Sequence, residues 1–380
     1  MKFLILASFA GSLTGFRKPL IQALISQGLE VYAAAPELLS NTKVLSELSA
    51  MGVTCHDAPL SRTGMNPVSD LKTLLALRRL MKSINPDYFL GYTIKPVIYG
   101  NLAAWLARVP HRIALITGLG YAFVDDDKSI KRKAVNQVVV RLYKAALSRS
   151  QVVFFQNQDD EILFRESGII STKTNSVVVN GSGVPVEEYI CEPAPIQSSL
   201  SFFLMARLIA AKGVRIYADA ARIVKEKHPS AKFILAGELD SNPDGIQQDE
   251  LEGWITEGLI DYRGRLNDVK PALKECSVFV LPSYYREGVP RSILEALATG
   301  RAIITTDSVG CRETVVEGEN GFLVPIKDVS ALAEAIFKFI EQPELIGRMG
   351  KRSREMAEQK YDVHKVNHHM LSEMGIKPIR

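Results

Sequence analysis

The chain alternates short apolar runs with longer segments of helical periodicity almost from end to end. Lys2–Phe9, Val31–Ala35, Val53–His56, Tyr88–Gly91, Arg112–Thr117 and Val152–Gln156 are runs of strand length. Between them, Phe16–Gln27, Thr42–Met51, Pro67–Ile84, Val97–Ala107 and Ile130–Ser148 repeat apolar residues at helical spacing. Nearly all-apolar strands separated by helices belong to parallel sheets buried on both faces, and this spacing makes βαβ units of a doubly wound α/β fold. The pattern breaks at Cys191–Ser199, which has two prolines, two serines and no period, and reads as an interdomain linker. It restarts with strands at Ser201–Met205, Lys232–Ala236, Ile260–Tyr262, Val278–Leu281 and Ala302–Thr305. Helices near Arg215–Lys227, Gln247–Glu257, Val269–Cys276 and Pro290–Thr299 lie between these strands, and Val329–Glu341, Glu344–Tyr361 and an amphipathic tail close the chain. The expected division is a Rossmann-like domain over 1–190, a linker over 191–199, a second Rossmann-like domain over 200–360 and a C-terminal helix over 361–380 that packs back on the first. Two such domains would set a ligand cleft between them.

Composition narrows the class. At ~150 residues per domain, 380 residues are too many for one core. With 47% hydrophobic and 23% charged residues the chain is neither disordered nor collagenous. Four scattered cysteines without a C-x-x-C exclude a disulfide scaffold or zinc ribbon and suit a reducing compartment. No run reaches the ~18–20 apolar residues that span a bilayer, and the short apolar start, followed at once by an amphipathic helix, reads as a strand rather than a signal peptide. Charge is unevenly spread: residues 1–190 hold 21 Lys and Arg against 15 Asp and Glu, residues 191–380 hold 25 against 27. A basic first half points to an anionic partner there, a phosphate-bearing substrate or a membrane surface.

Three clusters could carry chemistry. The loop Ala10–Gly15, between the first strand and helix, holds Gly11 and Gly15, and is either a plain turn or a place where backbone approaches a phosphate. It lacks the G-x-G-x-x-G fingerprint, which disfavours a nicotinamide site although Glu37 follows the second strand. In Met205–Gly213, Arg207 ends a strand and Lys212 precedes a helix, so both sit at the carboxyl edge of the second sheet, where two cations suit a diphosphate or are ordinary surface charge. In Ser283–Gly300, Glu287 stands in the loop after a strand, Pro290 suits a first helical turn and Glu295 lies further along that helix. The two carboxylates could accept hydroxyls of a sugar and a ribose, or Arg291 and Glu295 could simply form an i,i+4 pair. Asp125-Asp126-Asp127 reads as a solvated loop rather than a metal-binding D-x-D, and His364 and His368 lack further ligands for a metal. Trp105 and Trp254 read as packing residues. The basic, amphipathic stretch Lys128–Lys144 is either a solvated helix face or a membrane-docking one.

Glu287 to Glu295 is an E-x7-E motif. With Arg207, Lys212 and the Glu295–Gly300 tail it resembles the retaining family 4 glycosyltransferases of GT-B fold. Gly91–Gly100, Thr117–Phe123 and Val179–Val184 resemble the members that build bacterial lipid-linked oligosaccharides, O-antigens and capsules. The resemblance implies that Arg207 and Lys212 hold a nucleotide diphosphate, Glu295 the ribose, and Glu287 the donor sugar, with Gly288, Val289 and Pro290 around sugar and phosphate. It also implies that Gly11 reaches the diphosphate, that Leu266 and Gly237 lie near the base, and that Asn180 lines the cleft. Two positions depart from the pattern: Thr117-Gly118 stands where many relatives have a His, and Gly237-Glu238-Leu239 where many have Gly-x-Gly. The implied reaction moves a hexose or N-acetylhexosamine from a UDP-sugar, a co-substrate, onto a lipid-linked acceptor at the inner face of the cytoplasmic membrane. No metal, other cofactor or nucleic acid is implied. A UDP-sugar epimerase or hydrolase of the same architecture is the alternative, and it would need its own acid–base pair.

Overall fold

The computed structural model describes residues 1–60, 66–119, 130–195, 199–240 and 244–376, with residues 130–135 described by their backbone alone. The chain forms two compact units, Met1–Ser182 with Val363–Arg380, and Gly183–Asp362.

The first unit is a seven-stranded parallel sheet of β1 (Lys2–Leu6), β2 (Glu30–Ala35), β3 (Thr54–Asp57), β4 (Tyr88–Tyr92), β5 (His111–Ile116), β6 (Val152–Phe155) and β7 (Ser176–Val178). Their order is β3-β2-β1-β4-β5-β6-β7, so the winding direction reverses between β1 and β4. Successive strand residues serve opposite cores. Phe3 and Ile5 face one cluster with Val31 and Ala33, while Leu4 and Leu6 face another with Phe89 and Phe155. That is why these strands are apolar at every position rather than alternating. The tail helix Val363–Glu373 completes the first cluster through Val366, Met370 and Leu371, against the helix Lys18–Ser26.

The second unit is a six-stranded parallel sheet of β8 (Ser201–Met205), β9 (Lys232–Ala236), β10 (Asp261–Tyr262), β11 (Val278–Leu281), β12 (Ala302–Thr306) and β13 (Gly321–Val324), ordered β10-β9-β8-β11-β12-β13. Here the winding reverses between β8 and β11. Phe202, Phe203, Leu204, Phe279 and Ile303 are fully buried in one cluster. Each unit is the α/β, Rossmann-like arrangement that the alternation of strands and helices implies.

Two edge strands, β7 and β13, are not visible in the sequence pattern. β7 has only three residues, and the apolar run there, Val177–Val179, is too short to stand out as a strand. β13 starts at Gly321, where a Cβ would stand 2.0 Å from the Ile303 carbonyl oxygen, so the position that pairs with β12 has no side chain to advertise it. The Gly11 segment, expected as a loop, is a short helix, Gly11–Gly15.

The stretch 191–195 lies within the second unit, held there by Arg301. This guanidinium is fully buried and donates to the carbonyls of Leu273 (2.7 Å), Glu192 (2.9 Å) and Lys274 (3.1 Å). One side chain thereby ties the incoming chain to the helix Lys270–Glu275 and to the start of β12. Removing it would strand several buried carbonyls at once. Arg301→Ala should therefore lower the unfolding free energy by about 3 kcal/mol, read from denaturant melts, whereas a half-exposed surface arginine such as Arg222 should cost under ~0.5 kcal/mol.

Candidate active site

The richest convergence of charge lies at the carboxyl ends of β8 and β11, the strands between which the second sheet reverses direction. Ligands of doubly wound sheets bind outside such a switch point. Met205 ends β8, and the chain runs through Arg207 to a single turn of 3-10 helix, Ala210–Lys212. Gly213 then adopts φ +78° and opens the helix Val214–Lys227. A Cβ on Gly213 would stand 2.1 Å from the Pro282 carbonyl oxygen, so only glycine lets this turn touch the chain leaving β11.

That approach is stitched by backbone hydrogen bonds. The amides of Tyr284 and Tyr285 donate to the Ala211 carbonyl at 2.9 and 3.0 Å, and the Ser283 hydroxyl reaches the same oxygen at 3.3 Å. Lys212, next along, is thereby set beside Glu287. Its Nζ lies 2.6 Å from Glu287 Oε2, and each side chain is only 12% exposed. The Ser283 hydroxyl donates to the other carboxylate oxygen at 3.0 Å. Tyr285 joins the second cation: the Lys212 ammonium sits 5.5 Å from its ring centroid, and Arg207 is near enough to its phenol to act on it electrostatically. Burial pushes the Tyr285 phenol above its ordinary value, with Arg207 pulling the other way. Arg207 is about half exposed and also pairs with Asp240 at 3.0 Å.

The Gly288–Pro290 segment leads into the helix Arg291–Ala298. Gly310, at φ +84°, packs on it so closely that a Cβ would meet the Gly288 carbonyl at 2.2 Å. On that helix Arg291 and Glu295 form the i,i+4 pair at 3.0 Å, with Arg291 also donating to the Gly183 carbonyl at 3.2 Å. The pair is not a solvated one. Burial raises the Glu295 pKa, against the opposing pull of Arg291 and a hydrogen bond from Tyr189. Gly237, at φ +151°, lies against the Ala206 carbonyl just before Arg207, and its own carbonyl accepts from the Tyr262 hydroxyl at 2.7 Å. Leu266 packs half-buried on the core beyond β10.

The structure thus joins Arg207, Lys212 and Glu287 in one cluster, with Gly237 beside its first member and Gly288–Pro290 beside its last. Glu295 sits further along the helix with Arg291 and Tyr189. Gly11 and Asn180 belong to the first unit, each just beyond the carboxyl end of a strand, β1 and β7. Sequence reasoning missed Ser283, Tyr285, Asp240 and Gly310. The first two lie inside the cluster already named, but nothing in a one-dimensional pattern marks a hydroxyl as the partner of a carboxylate four residues on. The Asp125–Asp127 run lies outside the described residues. Among those described, no group of three His, Cys, Asp or Glu side chains is placed to hold a metal. Burial pushes the Cys276 and Cys311 thiols up to about 12, which leaves them poor nucleophiles.

Residues 200–342 match the family model for glycosyl transferases group 1, and residues 4–157 the model for glycosyl transferase 4-like domains. The two take in most of the chain from its two halves: this is a glycosyltransferase of GT-B fold, and it belongs with the family 4-like enzymes. Over 377 residues, 95% of each chain, it is 29% identical to the N,N'-diacetylbacillosaminyl-diphospho-undecaprenol alpha-1,3-N-acetylgalactosaminyltransferase of Campylobacter jejuni. It is 29% identical over 304 residues, 76% of this chain and 74% of the other, to an Escherichia coli UDP-Gal:alpha-D-GlcNAc-diphosphoundecaprenol alpha-1,3-galactosyltransferase. The crystal structure of Anabaena HepE in complex with UDP-glucose shares its fold, with a TM-score of 0.78 over 99% of both chains at 20% identity.

Because Gly213 allows the contact that places Lys212, Gly213→Ala should cost about 2 kcal/mol or more of stability, through left-handed strain and the Pro282 clash together. Thermal melting checks this; Gly253→Ala, with open space around it, should be neutral or stabilising.

Proposed function

We propose that the chain is a retaining, metal-independent transferase that moves a hexose or N-acetylhexosamine from a UDP-sugar to a polyprenyl-diphosphate-linked saccharide. The observation that carries this reading is the Lys212–Glu287 pair at the switch point of the second sheet. The relatives support the substrate classes, since both are named for acceptors linked through a diphosphate to undecaprenol. The galactosyltransferase is named for a UDP-Gal donor and an alpha product; as UDP-galactose is itself α-linked, that pairing supports retention. On this reading the chain works at the cytoplasmic face of the membrane that holds its acceptor.

In the proposed reaction the bond between the sugar's C1 and the phosphate oxygen breaks, and its electron pair leaves with UDP. Charge grows on the diphosphate, where Lys212 and Arg207 offset it, and the sugar ring becomes cationic. As the diphosphate draws on Lys212, the Glu287 carboxylate is released to accept hydroxyls of the donor sugar. Glu295, buried on the adjacent helix, accepts from the ribose. The acceptor hydroxyl attacks C1 on the face that UDP leaves, and its proton passes to the departing phosphate oxygen. Arg207 and Lys212 thereby fill the role a divalent ion has in other transferases.

The test is release of UDP from a panel of UDP-sugars with lipid-linked acceptors supplied. Lys212→Met and Glu287→Gln should each lower kcat by ~10²-fold or more. Melting of the same samples keeps loss of chemistry apart from loss of fold, because breaking a buried pair also destabilises. Undiminished turnover in both variants would falsify the assignment. Glu295→Gln should raise KM for the donor more than it lowers kcat, as expected for a group that binds a part of the substrate remote from the breaking bond. Incubation with EDTA should leave the rate unchanged; a rate restored only by a divalent ion would contradict metal independence. Release of UDP at full rate without acceptor would favour a hydrolase instead.

A further inference from the structure

The helix Pro67–Ile84 in the first unit has two faces of different kind. Asp70, Thr73, Leu77, Met81 and Ile84 are buried, and Asp70, its single acidic residue, is neutralised there by Lys95 at 3.1 Å. At 100° per residue the opposite stripe is Val68, Leu71, Lys72, Leu75, Arg79 and Lys82. All six are exposed, Val68 by 65%, Leu71 by 56% and Leu75 by 42%. Its three apolar residues thus fall in the first half of the stripe, around Lys72, and the second half holds only cations, with no acid anywhere on it.

The patch continues onto the neighbouring helix Asn101–Ala107, which packs along Pro67–Ile84. Arg78 Nε donates to the Leu106 carbonyl at 3.4 Å, joining the two at their rims. Trp105, which the sequence pattern marks as a packing residue, is instead 44% exposed, beside the equally open Leu106. The Arg149 guanidinium lies 4.4 Å above the indole ring, and Arg108 is exposed at the helix end. Three leucines, a valine and a tryptophan thus share one surface with six cations.

We propose that this surface, rather than the Lys128–Lys144 stretch, docks the protein on an anionic bilayer. Exposed leucines with a tryptophan enter the headgroup boundary, and each flanking Lys or Arg adds attraction to a negatively charged leaflet. A protein partner would need acids to match this rim, whereas a lipid surface supplies them everywhere. The placement also fits the sheet. The helix lies between β3 and β4, so its apolar turns start at the carboxyl edge, where Asp70 meets Lys95 just past β4. That edge is where a parallel sheet takes its ligands, so a lipid-linked molecule could be met there without leaving the bilayer. The inference goes beyond the donor chemistry and stands on residues that take no part in it.

Trp254 is the other tryptophan of the chain and is buried in the second unit, so Trp254→Phe makes Trp105 the sole indole reporter. This protein is mixed with phosphatidylcholine vesicles with and without phosphatidylglycerol. Its emission should shift to the blue, and brominated acyl chains should quench it, with the anionic vesicles only. In co-sedimentation, Leu71→Gln/Leu75→Gln should weaken partitioning at least tenfold while leaving the melting temperature and UDP release from a detergent-solubilised acceptor unchanged. Val138→Gln, on the neighbouring basic helix, should leave partitioning intact. The idea fails if the wild type ignores anionic vesicles, if the leucine variant binds like the wild type, or if Val138→Gln alone abolishes binding. It fails equally if gel filtration shows the leucine variant turning a dimer into a monomer, since the face would then belong to a second copy. Failure of UDP release in the unmutated enzyme would sink the proposed reaction and leave the vesicle result standing.

Discussion

A parallel sheet buried on both faces has nowhere to do chemistry except at its ends. Phe202, Phe203, Leu204, Val280 and Leu281 are fully buried, so of the side chains along β8 and β11 only Met205, at the carboxyl end of β8, is even partly open. Polar function is pushed to the loops that follow the carboxyl ends, and the reversal of winding between β8 and β11 splays two such loops apart. Lys212 and Glu287 come from those two loops. Their 2.6 Å contact follows from sheet topology as much as from their own charges.

Much of this was legible in the sequence because burial on both faces leaves an unusually plain signature. Val278–Leu281 and Lys232–Ala236 are visible as strands because nearly every residue must be apolar, and both have the expected bounds. Arg207, Lys212 and Glu287 were legible for a related reason: position just past such a strand is itself information. What stayed hidden depends on distance through space. Ser283 meets Glu287 only because Ala211 holds the intervening loop. Cys191–Ser199 looks like a linker because two prolines and two serines break the period, yet 191–195 is fastened to the second unit by a buried arginine more than a hundred residues away. No local pattern records either fact. The tail is another case, since the amphipathy of Val363–Glu373 says that it packs but not where.

The basic character of the first half becomes specific only once burial is known. The helix Pro67–Ile84 carries apolar residues on both its sides in the sequence, because two different environments draw on the same residue type. One set of its apolar side chains closes the core behind β1 and β4, and the other has no protein to cover it. Leaving leucines in water gains nothing for the fold, and a contiguous apolar patch rimmed by charge of one sign marks an interaction surface rather than accidental exposure. The helix beginning at Ile130 stands out in the sequence because its lysines and arginines are denser. On Pro67–Ile84, exposed cations and exposed apolar side chains share one stripe.

The two cations at the second switch point differ in a way that bears on how each could serve an anion. Lys212 is held against Glu287 in a mostly buried pair, on a turn that glycine and three hydrogen bonds to Ala211 lock to the opposite loop. Its side-chain freedom, worth up to ~2 kcal/mol for a lysine, has already been given up in folding and need not be lost again on binding. Arg207 is about half exposed and leans on Asp240, an arrangement worth little in water and easily exchanged. On the proposed reading, one cation fixes where negative charge settles and the other follows it. A leaving group that gains charge and moves as its bond breaks needs both properties, and two charges of either kind alone would supply only one.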